Sequence, residues 1–232
     1  MNMHMKRMIM IVLSAACMTA AGAEDKVEAT IGADFVSQYI WRGQNLGGVS
    51  LQPTMGISYK GLSLSSWGSV GFEGSDTKEL DFTLGYTYKG FNVGVTDYWF
   101  SEGSYFQYKA HQTTHIWEAN AGYDFGFLSM QWFTNFAGND GMTSSGKRAY
   151  SSYFELSAPF RLGGLDWAAA FGVVPYQTSS YDANGFAVTN ISLKATKDFV
   201  IKEKWHLPVY AGLTGNPRAE NLYIIFGTSF SI

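Results

Sequence analysis

The chain has 232 residues, enough for one large barrel or one to two soluble domains. Aromatic residues make up 16% of it and charged residues only 15%, against about 25% charged in ordinary soluble domains. The formal net charge of −3 comes without basic clusters, which argues against a nucleic-acid partner, and nothing after the first 25 residues is apolar for about 18 in a row, which excludes spanning helices.

The N-terminus reads as a secretory signal peptide. Lys6 and Arg7 supply the positive end, Met8 to Cys17 the apolar core, and Ala21-Gly22-Ala23 the cleavage site. Cleavage is expected after Ala23, which leaves residues 24–232 as a single domain. Two rivals are a membrane anchor, for which the apolar run is too short, and a lipoprotein signal at Cys17, for which Leu13 sits one place too early. Removing residues 1–23 takes away Lys6, Arg7 and Cys17, so the charge of −3 becomes −5 and no cysteine remains. A thiol-free chain suits passage through an oxidising compartment.

About twelve strand segments follow, at roughly 29–41, 50–60, 62–72, 79–89, 91–101, 114–125, 127–137, 149–160, 165–175, 186–197, 205–215 and 221–232. The stretch from Lys78 to Phe100 shows their pattern. Leu80, Phe82, Leu84, Tyr86 and Tyr88 alternate with Asp81, Thr83, Gly85 and Thr87, the period of a strand whose two faces meet different surroundings. After the tight Lys89-Gly90 connection, Phe91, Val93 and Val95 alternate with Asn92, Gly94 and Thr96. Arms of about ten residues are close to the length of a membrane-crossing strand.

Connections alternate between short turns (Lys60-Gly61, Lys89-Gly90, Gly126, Gly163-Gly164) and longer polar stretches such as Glu102 to Thr113 and Gly138 to Arg148. The exception is Val200 to Lys204, a longer connection on the short-turn side. Short turns at one end and long loops at the other is the pattern of an outer-membrane barrel, with the short turns periplasmic. A closed barrel has no edge, so proline should avoid strand middles; Pro53, Pro159, Pro175 and Pro208 fall near predicted strand ends and Pro217 in a loop. The expected fold is therefore an all-β transmembrane antiparallel barrel of about twelve strands in a Gram-negative outer membrane. A soluble sandwich or lipocalin-like barrel would explain the alternation but not the segment length or the loop asymmetry.

In such a barrel Leu80, Phe82, Trp117, Met130, Trp132, Phe171 and Phe226 face lipid. The opposite face carries Asp81, Glu118, Asn120, Asp124, Glu155 and Lys194, the candidate lumen-lining set. Carboxylates outnumber cations there. An open lumen would carry a negative field and favour cations; a closed one would pair Arg42 and Lys194 with Asp81, Glu118 or Glu155. Asp97 breaks the pattern, because its phase is that of the lipid face. Either a bulge near Thr96 swings it inward or it lies near the interface.

Asp34 to Gly43, DFVSQYIWRG, resembles the opening of the TorF-like porin family (Gcw_chp domain), whose first strand ends S-x-Y-x-x-R-G. Ser37, Tyr39, Arg42 and Gly43 match that pattern, and segments around Gly56-Ile57-Ser58-Tyr59, Trp67-Gly68-Ser69, Glu79-Leu80-Asp81 and Gly85-Tyr86 continue the likeness. The last strand, with Phe226, Thr228, Phe230 and Ile232 on one face, is similar to the terminal signal of outer-membrane barrels, Ile232 standing where Phe is usual. The resemblance implies a secreted barrel of porin type. On the residues alone, Arg42-Gly43 is expected to close strand one at the outer rim, Arg42 clamping loop carbonyls or carboxylates or selecting solutes.

Barrel hydrolases need a His beside Ser or Asp. The chain after residue 23 has His111, His115 and His206, with no H-x-S or D-x-H spacing; loop histidines exposed to solvent are the expectation, with no metal and no cofactor. The expected function is a narrow channel for small hydrophilic solutes or ions with an acidic lumen and no enzymatic activity. The alternative is a closed barrel acting through its loops as an adhesin or structural protein. Expected partners are outer-membrane lipid, the barrel assembly machinery during insertion, and the solutes themselves.

Overall fold

Twelve strands pair in a closed antiparallel ring, in a computed structural model that describes residues 26–202 and 205–231. The wall consists of β1 (Glu28–Val36), β4 (Ser50–Tyr59), β5 (Leu62–Gly71), β6 (Lys78–Tyr88), β7 (Phe91–Trp99), β8 (Ile116–Asp124), β9 (Ser129–Gly138), β10 (Ser152–Leu162), β11 (Leu165–Val174), β12 (Ala187–Lys202), β13 (Trp205–Asn216) and β14 (Asn221–Ser231). Each wall strand pairs with the next wall strand along the chain, β1 with β4 across the intervening segment, and β1 meets β14 to close the ring. A separate hairpin, β2 (Tyr39–Trp41) and β3 (Gln44–Gly47), pairs with no wall strand. The expected signal peptide and Ile232 lie outside the described residues.

Alternation decides which side chains point out. Phe82, Leu84 and Tyr86 on β6, Met130 and Trp132 on β9, and Leu222, Ile224 and Phe226 on β14 are all exposed on the outer wall. An exposed apolar belt around a closed ring is stable in hydrocarbon, where every backbone group must bond within the structure. The short turns follow from local chemistry. Lys60-Gly61 and Lys89-Gly90 have φ of 50° and 86°, and 48° and 85°, the two consecutive positive values that a type I′ hairpin requires.

Two features depart from the sequence reading. Strand one is expected to run to residue 41, yet β1 ends at Val36 and residues 37–49 fold into the barrel. Asp97 is not swung inward: β6, β7 and β8 run in unbroken register past it, with Asp97 opposite Phe82 and Trp117 on the outward face. The bulge lies further on, where Glu118 pairs with Asn135 and Trp117 with Ala137, leaving Phe136 as the extra residue.

The inner wall differs between its two ends. Towards the long loops, Gln52, Ser69, Glu79, Asp81, Thr96, Tyr98, Glu118 and Asn190 are buried. Towards the short turns, Ser58, Thr87, Asn92, Asp124, Gln131, Ser157 and Asp166 are half-buried. The hairpin and the loop after β11 fill the first half; the second remains a polar cup.

Candidate functional site

The interior is built around residues 37–49, and each matched position of S-x-Y-x-x-R-G has a separate task there. Ser37 marks the point where the chain leaves the wall. Its amide donates to the carbonyl of Phe226 on β14 (2.8 Å) and its Oγ accepts from the Phe226 amide (2.9 Å). The departing end of β1 is thus bonded to the closing strand. Tyr39 then reaches the wall on the other side: its hydroxyl donates to Glu79 Oε2 at 2.7 Å, and its ring packs on Trp67, centroids 5.4 Å apart.

Arg42 and Gly43 form the hairpin tip. Their φ values of 50° and 81° give the same turn as the Lys-Gly pairs below. Arg42 donates to both oxygens of Glu118 on β8, at 2.6 and 2.8 Å, and to the Tyr181 hydroxyl at 2.7 Å. Its guanidinium lies 4.1 Å from the ring centre of Phe133, 4.3 Å from that of Trp41 and 4.8 Å from that of Tyr153. Only 4% of Arg42 is exposed. A planar, five-donor group stacked among rings suits such a site; a compact ammonium would not. Gly43 touches the far wall. A Cβ there would collide with the backbone carbonyl of Thr189, and the Gly43 carbonyl accepts from Asn216 Nδ2 at 3.0 Å. Arg42 therefore does not close strand one at the rim, as expected, but is buried inside the barrel. The reason is Glu118, a buried carboxylate that needs a partner.

The loop between β11 and β12 completes the obstruction. A one-turn 3₁₀ segment, Ser179–Tyr181, is capped by Thr178, whose Oγ1 accepts from the Ser180 amide. It lays Tyr181 parallel to Tyr153 (5.9 Å) and Trp41 (6.0 Å). Tyr153, Val174, Tyr181, Ala183 and Ala187 form a small apolar cluster against Trp41 and Phe133.

The candidate lining residues separate into groups. Asp81 and Glu118 are buried beside the hairpin. Glu155 accepts from the Tyr153 hydroxyl (2.6 Å) and from Asn190 Nδ2 (3.3 Å). Lys194 lies over the Tyr210 ring and faces Asp34, which bonds Ser229. Asp34, Glu155, Asn190, Lys194 and Tyr210 border a cavity of about 110 Å³ that Arg42 and Tyr39 also line. Asn120 and Asp124 sit lower, half-buried, Asp124 accepting from the Gly126 amide at 2.7 Å to shape the short turn. Of the pairings that a closed lumen would require, Arg42–Glu118 is formed.

Spacing in sequence missed two Asp–His pairs. His115 is fully buried, not a solvent-exposed loop residue. Its Nδ1 meets Asp97 Oδ1 at 2.7 Å and its Nε2 meets the Tyr105 carbonyl at 2.7 Å. A carbonyl only accepts, so Nε2 carries a hydrogen. Tyr105, Tyr108 and Trp117 surround the imidazole, so the loop after β7 folds over the outer wall and covers Asp97. His206 Nδ1 meets Asp198 Oδ2 at 2.6 Å near the short turns. Among the described residues neither imidazole bonds a serine, and no group of three or more His, Cys, Asp or Glu side chains is arranged to hold a metal.

No protein-family model matches the sequence, and no curated protein matches it. Among solved structures, the chain is similar to an outer-membrane channel from Pseudomonas putida F1, at 15% identity and a TM-score of 0.44, covering 92% of this chain and 98% of that one. It is also similar to OmpF of Salmonella typhi, solved with daunomycin, at 10% identity and a TM-score of 0.37, covering 90% and 98%. Both are likenesses of fold alone.

Proposed function

We propose that this chain is a channel of a Gram-negative outer membrane for small hydrophilic solutes or ions, held closed here by its own hairpin. The observation that carries the reading is the attachment of that hairpin: β2 and β3 pair with each other and with no wall strand. What obstructs the lumen is therefore held mainly by side chains, with a backbone bond from the Thr77 amide to the Leu46 carbonyl on β3, and can move without breaking the barrel. Below it the wall stays polar and half-buried from Ser157 and Gln131 to Asn92 and Thr87. Carboxylates dominate the inner wall, which favours cations. The S-x-Y-x-x-R-G resemblance to TorF-like porins points the same way, because its residues are the ones that fasten the obstruction. The first 23 residues act as the export signal, insertion engages the barrel assembly machinery, and the protein is not an enzyme.

Conductance of folded protein in planar bilayers tests this. Wild type should pass a small cation-preferring current, and Glu118→Gln, which loosens Arg42, a larger and more frequent one. Silence from both variants rejects the channel. That outcome favours a closed barrel working through its outer loops, a reading suggested by the Tyr181 stack that pins the β11–β12 loop inside.

A further inference from the structure

Glu79 and Asp81 stand two residues apart on β6, so both side chains point into the lumen. They are 6% and 7% exposed. Their carboxyl groups are close enough to act directly on each other. The surrounding charges do not neutralise them. Arg42, at the tip of the same hairpin as Tyr39, is committed through both arms to Glu118. Tyr39 and Tyr98 offer hydroxyls, one to Glu79 and the other to Glu118. Among the described residues no ion pair reaches Glu79 or Asp81. Asp81 Oδ1 is buried and has no hydrogen-bond partner at all.

Buried carboxylates in contact require something positive between them, since an uncompensated buried charge is costly. Across the strand pair, Asp81 lies opposite Trp67 and Glu79 opposite Ser69, a fully buried residue whose Oγ accepts from Gln52 Nε2. On the other side Asp81 lies opposite Tyr98. The available donors are thus carboxylate and hydroxyl oxygens, with no imidazole or thiol. Oxygen-only sets select hard cations, and calcium accepts irregular geometry and retained waters better than magnesium. Two carboxylates match its charge.

We propose that Glu79 and Asp81 bind one hard divalent cation, calcium in the first instance, beside Tyr39 of the internal hairpin. The ion neutralises the pair and leaves the Tyr39 hydroxyl bonded to Glu79, so its presence fastens the hairpin to β6. The site does not depend on the channel reading: binding is measured without current, and current is measured without calcium.

The test uses the full barrel in detergent micelles, stripped with chelator and titrated with calcium at neutral pH, in parallel with terbium luminescence excited through tryptophan. Wild type should take up one calcium per chain and show terbium emission that calcium quenches. Asp81→Asn and Glu79→Gln should each weaken uptake by about tenfold or more. Trp67→Phe should keep calcium uptake but dim terbium emission, because it removes the ring opposite Asp81; this variant leaves the carboxylates in place should the others fail to fold. No saturable uptake by folded wild type would mean that a shared proton occupies the pair, and would overturn the proposal. Uptake unchanged in both carboxylate variants would place the ion on surface carboxylates and overturn it equally.

Discussion

Arg42 and Glu118, 76 positions apart, meet in two parallel hydrogen bonds inside the barrel, each residue only 3% exposed at its side chain. A pair desolvated to this degree adds little to net stability over an apolar replacement, but breaking it from one side leaves a bare buried charge. Arg42→Ala should therefore destabilise the barrel by about 3–5 kcal/mol. The double variant Arg42→Leu with Glu118→Leu should recover much of that loss. Thermal unfolding in detergent, followed by heat-modified gel migration, measures both; equal loss in the single and double variants would show that the pair is not the fastening.

Gly43 tests the far attachment of the hairpin. Its φ of 81° costs an L-residue about 1–2 kcal/mol, and any Cβ meets the Thr189 carbonyl. Gly43→Ala should push the tip off β12 without touching a charge. Proteolysis within residues 37–49 should accelerate while the wall strands stay protected. An unchanged cleavage pattern would mean that the tip does not bear on Thr189.

Asp97 and His115 give a test on the outer wall. Removing the imidazole leaves a carboxylate on an apolar face, whereas removing the carboxylate leaves a histidine still bonded to the Tyr105 carbonyl. His115→Ala should cost about 2 kcal/mol, and Asp97→Val clearly less. Mobility of residues 100–114, read by hydrogen exchange, should rise in the first variant. Equal effects would indicate that covering the carboxylate is not what orders the loop.

The pH response of one loop follows from Asp76. Its carboxylate accepts from the Gly48 amide (2.9 Å) and the Glu73 amide (2.9 Å), which holds its pKa below the usual value. A group lowered on folding contributes fully above its unfolded pKa and loses that contribution as pH falls through the folded value. Protection of the Gly48 amide, its exchange rate relative to the intrinsic rate at the same pH, should thus be retained at neutral pH and lost only below the ordinary carboxylate range. In Asp76→Asn the acid-dependent step should vanish.

Much of the wall was legible in the sequence because each strand repeats one local rule. Leu80 to Tyr88 alternate against a uniform outer solvent, and Lys60-Gly61 and Lys89-Gly90 mark hairpins through their own backbone preferences. The inturned hairpin was not read, because Tyr39 and Trp41 continue the alternation of strand one beyond Val36. One signal was there: Arg42-Gly43 is a third basic residue–glycine pair, with the same positive φ values as the two that close wall hairpins. What the hairpin turns towards could not be read, because Glu118 and Glu79 lie 76 and 40 positions from their partners. Asp97 had the correct outward phase in the sequence. The long-range partner that makes this tolerable, His115, is 18 positions on and arrives through a loop.

The bond between Ser37 and Phe226 ties the root of the hairpin to the strand that closes the ring. Beyond that root β14 continues, and among the described residues Asn221 to Ile225 pair only with β13. The segment that fills the interior thus departs from the wall beside the very join that completes the cylinder. A hairpin that swings away from Glu79 and Glu118 therefore stays leashed at both ends to the rim, Ser37 to β14 on one side and Ser50 to β4 on the other.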